Sequence, residues 1–152
     1  MVRTEYLDCI FRPGYFQNLI LDAVVHLRDV EFDTVAFTGV SGAALGFPLG
    51  AYLGCKLLCI RKPSASAHCR FRVEGDLSGE RIVLVDDFVS SGDTIRFMLT
   101  HLKMQTTAKV VGLYTYRPRA ASGQWMKEFP DLTPLHPESV KRAKGIQGGY
   151  DF

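Results

Sequence analysis

The sequence predicts one α/β domain, a mainly parallel sheet with helices on both faces, and three observations lead there. Ile82 to Val85 is apolar without alternation, which marks a central strand covered on both sides. Stretches with helical spacing alternate with such strands in the order helix, strand, helix, strand, loop, strand, helix, strand, and parallel neighbours need helical crossovers. Finally, 152 residues with 47% apolar side chains suit a single core.

Phe16, Leu19, Ile20, Ala23, Val24 and Leu27 form the stripe of an amphipathic helix, and Pro13 suits its first turn. Thr34 to Thr38 follows as a short buried strand. Gly39 to Gly42 is expected to be a turn rich in N–H groups, leading into a helix to about Leu53 that Pro48 kinks or divides. Gly42, Gly46, Gly50 and Gly54 recur every four residues. For the last three, close packing on the sheet is the expected reason.

Lys56 to Ile60 is the next strand. The segment from about 61 to 72 is expected to be a flexible loop, with small residues at its tip between Arg61, Lys62, His68 and Arg70. Cys69 to Val73 and Glu80 to Val85 flank a turn-rich connection, so a hairpin-like pair is expected there. Ile95, Met98, Leu99 and Leu102 place a helix over Thr94 to Met104, and Lys109 to Tyr116 is the last clear strand. Beyond Arg117 only a short helix from Ser122 to Phe129 is expected.

The formal charge is +2 with 22% charged residues, so no nucleic-acid or membrane partner is expected. Thr34 to Cys55 lacks charge and is long enough to span a bilayer, but its glycines and Pro48 fit strand, turn and buried helix better. The four cysteines show no CxxC pairing, which suits a reducing cytoplasm, and acids near the N-terminus leave no apolar core for an export signal.

The chemistry concentrates at Asp86 to Thr94. A strand delivers two adjacent carboxylates into a polar loop that opens a helix, and a helix N-terminus offers backbone N–H groups to an anion. Ser90, Ser91, Gly92, Asp93 and Thr94 form a candidate phosphate cradle, with hydroxyls at Ser90, Ser91 and Thr94 as added donors. Asp93 should turn outward, since its carboxylate would repel a phosphate. Asp86 and Asp87 can accept hydrogen bonds from vicinal hydroxyls or hold Mg²⁺, directly or through water. Phosphate, diol and metal together describe a phosphorylated sugar.

Val85 to Thr94, Val-Asp-Asp-Phe-Val-Ser-Ser-Gly-Asp-Thr, resembles the signature by which type I phosphoribosyltransferases bind 5-phosphoribosyl 1-pyrophosphate (PRPP). The resemblance implies that family's fold with a small hood, here from residues 117–152 and the N-terminal residues. It also implies a Mg²⁺ cofactor, a nucleobase as second substrate and a homodimer. Thr38, Gly39, Val40, Ser41 and Gly42 would hold the pyrophosphate, Arg61, Lys62, His68 and Arg70 would close over it, and Trp125 or Phe129 could stack on the base. Asp86, Asp87, Arg61 and Lys62 are the expected catalytic set.

Gly46-Phe47 and Arg61-Lys62-Pro63 look most like adenine phosphoribosyltransferases, although Ala44-Leu45 replace the arginine that usually precedes the Gly-Phe pair. Ser90 stands where 6-oxopurine enzymes of the family carry an aspartate base, which turns the expectation away from hypoxanthine and guanine. A PRPP-sensing regulator that keeps the fold without transfer is the alternative.

Overall fold

The computed structural model describes residues 3–4, 7–63, 70–117 and 124–135. Two helices open the chain, α1 (Asp8–Phe11) and α2 (Pro13–Leu27), with Pro13 in the first turn of α2. Then come β1 (Thr34–Thr38), α3 (Gly39–Leu53), β2 (Lys56–Ile60), β3 (Val73–Gly75) and β4 (Arg81–Asp86). After these stand α4 (Asp93–Gln105), β5 (Lys109–Thr115), α5 (Gln124–Glu128) and β6 (Thr133–Pro134). The sheet order is β3-β2-β1-β4-β5-β6, and only β3 runs antiparallel to its neighbour.

The pleat sorts the strand residues between two cores. Val35, Phe37, Val83 and Val85 face α2 and α3 and pack with Leu27, Leu45 and Leu49. Ala36, Ile82 and Leu84 face the other way, against Ile95, Met98 and Leu102 of α4 and against Trp125 and Leu132. Strands buried on both faces have no polar side to alternate with, which is why β4 reads as an unbroken apolar run. At the opposite edge from the strand ends, the Asp33 carboxylate accepts from the Glu80 and Arg81 N–H groups at 2.9 and 3.1 Å, tying the entry to β1 to that of β4.

Three expectations need correction. The strand at Val73 pairs with β2, not with β4, through Ile60 opposite Val73 and Leu58 opposite Gly75. β4 has both of its edges occupied by the parallel strands β1 and β5, so the short antiparallel strand is left to the sheet margin.

The expected turn at Gly39 to Gly42 is the first turn of α3 itself. The chain reverses at one residue, Gly39, whose φ of +66° is the left-handed conformation that glycine adopts without a Cβ clash.

Pro48 lies inside a single helix of 15 residues and does not divide it. Gly46 and Gly50 do serve close packing: a Cβ at Gly46 would collide with the Phe37 ring, and one at Gly50 would come within 2.6 Å of Leu57. Gly54 does not; it is the left-handed C-cap of α3, with φ +64° and nothing within 4 Å of an added Cβ.

Part of the tail expected to form the hood lies within the described residues. Residues 124–135 form α5 and β6, and β6 extends the sheet beside β5 with Gly112 opposite Thr133. This part of the tail belongs to the sheet and its core; residues 118–123 and 136–152 lie outside the described residues. Among the described residues no helix is long and apolar enough to cross a membrane.

Candidate active site

β1, β2, β4 and β5 are parallel, so their carboxyl ends share one edge, where open α/β sheets bind ligands. A cleft of about 220 Å³ opens there. β1 and the first turn of α3 contribute Thr38 and Ser41, the end of β2 contributes Lys62, and the run from Asp86 to Ile95 forms the remaining wall. Ten of the residues singled out in the sequence therefore meet in one cavity: Thr38, Ser41, Lys62, Asp86, Asp87, Ser90, Ser91, Gly92, Asp93 and Thr94.

Asp86 and Asp87 are buried, at 7% and 5% exposure. Asp86 Oδ1 accepts the Ser41 hydroxyl at 3.0 Å and the Asp87 N–H at 2.9 Å. Burial pushes the Asp86 carboxyl up to about 7, the neighbouring Asp87 adds to the rise, and the hydrogen bonds from the Asp87 N–H and Ser41 oppose it. Asp87 Oδ2 is buried with no hydrogen-bond partner among the described residues. An orphaned carboxylate oxygen is costly unless something outside the chain satisfies it.

That orphan fits a divalent cation. Among the described residues no group of three or more His, Cys, Asp or Glu side chains could hold a metal. Two carboxylates nonetheless suit Mg²⁺, which keeps waters and takes its other ligands from substrate phosphates.

The cradle follows from local sequence. Gly92 caps α4 with φ +86° and ψ 0°, a conformation a Cβ would strain, although the space around it is ordinary, with Phe129 and the Trp125 Cβ each 3.7 Å from an added Cβ. Gly92 has no side chain to cap the helix; the Asp93 N–H donates to the Ser91 hydroxyl at 3.3 Å, and no other N–H of the first turn has a side-chain acceptor among the described residues.

The hydroxyls of the cleft divide by partner. Thr38 gives its proton to the Ile60 carbonyl at 2.6 Å, Ser41 to Asp86, and Ser91 to the Asp93 carboxylate. The Ser91 hydroxyl thus turns to the carboxylate two residues on. Ser90 and Thr94 have no such internal acceptor among the described residues. Asp93 itself is 78% exposed and is held by Arg96 at 2.6 Å.

Several expected residues lie elsewhere. Val40 is 71% exposed outside the cleft, and Gly42 is pressed against the sheet, where an added Cβ would stand 2.9 Å from the Val85 carbonyl. Arg61 turns from the cleft to Glu74 on β3, at 2.7 Å, because the β2–β3 pairing brings that carboxylate beside it. Arg70 is exposed and does not line the cleft; His68 lies outside the described residues.

Trp125 is 6% exposed and sits in the core behind Gly92, with the half-buried Phe129 packed on the same cluster. Neither lines the cleft, since pairing of β6 with β5 draws α5 against the back of the cradle. Trp125, expected to stack on a base, packs instead in the core against Gly92.

Two residues escaped the sequence reading. The Tyr116 hydroxyl, kept neutral by burial, donates to the Ser41 carbonyl at 2.8 Å. Arg117 donates its backbone N–H to the Asp87 carbonyl at 2.8 Å, and its Nη1 is buried without a partner among the described residues. The available signal was position: both immediately follow the strand that had to be a neighbour of β4.

No protein-family model matches the sequence. The transcriptional regulator GfcR of Methanocaldococcus jannaschii is 30% identical over 108 residues, covering 66% of this chain and 50% of the regulator. An orotate phosphoribosyltransferase of Methanospirillum hungatei is 28% identical over 103 residues, covering 66% of this chain and 59% of that enzyme. An adenine phosphoribosyltransferase of Brevibacillus brevis is 24% identical over 127 residues, covering 73% and 74%. The chain thus spans only a half to three-fifths of the first two relatives.

Among solved structures, the orotate phosphoribosyltransferase of Mycobacterium tuberculosis superposes with a TM-score of 0.71 at 15% identity, over 88% of this chain and 75% of that one. The adenine phosphoribosyltransferase of Thermoanaerobacter pseudethanolicus gives 0.66 at 21% identity, over 84% and 83%. With the signature at the end of β4, the chain is thus similar in sequence to orotate and adenine phosphoribosyltransferases and shares the fold of their solved structures.

Proposed function

We propose that this chain is a Mg²⁺-dependent phosphoribosyltransferase that moves the phosphoribosyl group of PRPP to a ring nitrogen of a nucleobase and releases pyrophosphate. One observation carries the reading: the buried Asp86–Asp87 pair, with its unpartnered Oδ2, shares a cleft with the glycine-capped first turn of α4. Ser90 to Thr94 receive the 5′-phosphate. Asp86 and Asp87 accept from the ribose hydroxyls and favour positive charge at C1′ as the bond to pyrophosphate breaks. Lys62, with the first turn of α3 from Gly39, faces the leaving group and stabilises its growing charge.

Mg²⁺, held by Asp86 and Asp87 directly or through water, would neutralise the pyrophosphate as it departs with the bonding electrons. The nucleobase nitrogen forms its bond to C1′ on the opposite side, and the proton it sheds is taken up by the departing pyrophosphate or by solvent. Adenine-type acceptors are put forward because Ser90 supplies no general base for a 6-oxopurine. The similarity to an adenine phosphoribosyltransferase supports the same choice. A homodimer in the cytoplasm completes the proposal.

A second reading, a PRPP-sensing regulator, is favoured by one finding, the 30% identity to a transcriptional regulator. Pyrophosphate release from PRPP and Mg²⁺, measured across adenine, hypoxanthine, guanine, xanthine, uracil and orotate, separates the two. Release that depends on one base establishes transfer and names the acceptor. Tight PRPP binding without release for any base supports the sensor, or an acceptor outside the panel, and overturns transfer to these six bases.

A further inference from the structure

Arg96 stands one turn into α4 and holds three parts of the molecule at once. Its Nη2 meets the Asp93 carboxylate at 2.6 Å and the Ser91 carbonyl at 3.2 Å, both in the cradle. Its Nη1 meets both carboxylate oxygens of Glu128 on α5, at 2.7 and 2.6 Å. The same helix and the residue after it set Trp125 and Phe129 against Gly92. Loop, helix start and sheet-edge helix are therefore joined through one guanidinium.

The cluster answers a problem in the site. Asp93 is the first residue of α4 and lines the cleft, so its negative charge lies in the turn that is to receive an anion. Unpaired, it would repel a phosphate at close range. Arg96 supplies the opposing charge, and its fork geometry holds Asp93 and the Ser91 carbonyl together, so that the loop cannot turn that carbonyl toward the ligand. Glu128 fixes the fork from behind. An isolated exposed ion pair contributes little to stability, so a network of this density points to positioning of the turn.

We infer that Arg96, oriented by Glu128, is a positioning residue that shapes and neutralises the cradle of Ser90 to Thr94 for the 5′-phosphate. The inference rests on the PRPP reading, and ligands that carry only part of PRPP separate the two. Ribose 5-phosphate probes the cradle; pyrophosphate with Mg²⁺ probes the Lys62 side.

The test is calorimetric titration of the whole chain and of Arg96→Gln, Glu128→Gln and Arg96→Gln with Asp93→Asn, with thermal melting run beside it. Arg96→Gln is expected to weaken ribose 5-phosphate by about tenfold or more, which is about 1.4 kcal/mol, and to leave pyrophosphate within about twofold. Glu128→Gln should give a smaller loss of the same kind. Adding Asp93→Asn should restore most of the ribose 5-phosphate affinity, because the repelling charge is gone.

Failure of the wild-type chain to bind ribose 5-phosphate or PRPP overturns the underlying reading. If wild type binds, three results overturn the role of Arg96: unchanged affinity in Arg96→Gln, equal loss for both ligands, or no recovery in the double variant. The last would mean that Arg96 itself touches the phosphate. If Arg96→Gln does not fold, Glu128→Gln and Asp93→Asn carry the test: loss in the first with gain or no change in the second supports positioning, and no loss in Glu128→Gln overturns it.

Discussion

The Ser41 hydroxyl donates to Asp86 Oδ1 across 3.0 Å, joining the first turn of α3 to the end of β4. Ser41 also accepts the Tyr116 hydroxyl on its carbonyl, so three strand ends are stitched at one point. The carboxylate so held is the one whose titration is displaced by burial.

That displacement sets a pH dependence. In the unfolded chain Asp86 loses its proton near the ordinary 3.8, and in the fold it keeps it to about 7. Between those values the folded state binds more protons, so the Asp86 contribution to stability falls as pH rises through the window and is flat above it. Urea denaturation at a series of pH values should show Asp86→Asn losing part of that slope and gaining relative stability above pH about 7. An Asp86→Asn curve parallel to wild type throughout would mean that Asp86 is not the group responsible.

Ser41→Ala removes a bond that favours the charged carboxylate. Its acid limb of turnover should move to higher pH, with maximal rate reduced less than in any Asp87 variant. A pH–rate profile checks this, and an acid limb shifted to lower pH contradicts the hydrogen bond's sense.

Asp87→Asn tests the orphaned oxygen. Loss of one charge from the cleft should cut turnover by roughly 10²-fold or more while the melting temperature stays level or rises, since the burial of two adjacent negative charges is relieved. Pyrophosphate release and thermal melting are the two readouts. Full activity with unchanged Mg²⁺ dependence would remove Asp87 from the mechanism.

Arg61 and Lys62 are neighbours with separate environments. Lys62→Ala should weaken pyrophosphate binding, since Lys62 lines the cleft. Arg61→Ala should instead loosen the β2–β3 hairpin that its bond to Glu74 supports, by about 0.2–1 kcal/mol for an exposed pair. Pyrophosphate titration of the single variants decides it, and equal losses would return Arg61 to the cleft.

Gly46→Ala probes the packing of α3. The added methyl meets the Phe37 ring in a full core, and overpacking of this kind costs about 1–3 kcal/mol. Denaturant midpoints should fall accordingly with little change in the slope.

The sequence by itself determined the strands and helices of the parallel core, because a strand buried on both faces is uniformly apolar and a helix on a sheet shows its stripe. It also located the cradle, since Asp86 to Thr94 is contiguous and its chemistry is local. Only the tertiary structure decided which strands are neighbours. The occupied edges of β4 sent the Val73 strand to β2, and with it Glu74 to Arg61. In the same way β6 took a place beside β5 and carried Trp125 behind Gly92. Contacts such as Ser41 with Asp86 or Arg96 with Glu128 join residues 45 and 32 positions apart. No local pattern encodes them; they arise because parallel strands bring all their carboxyl ends to one edge.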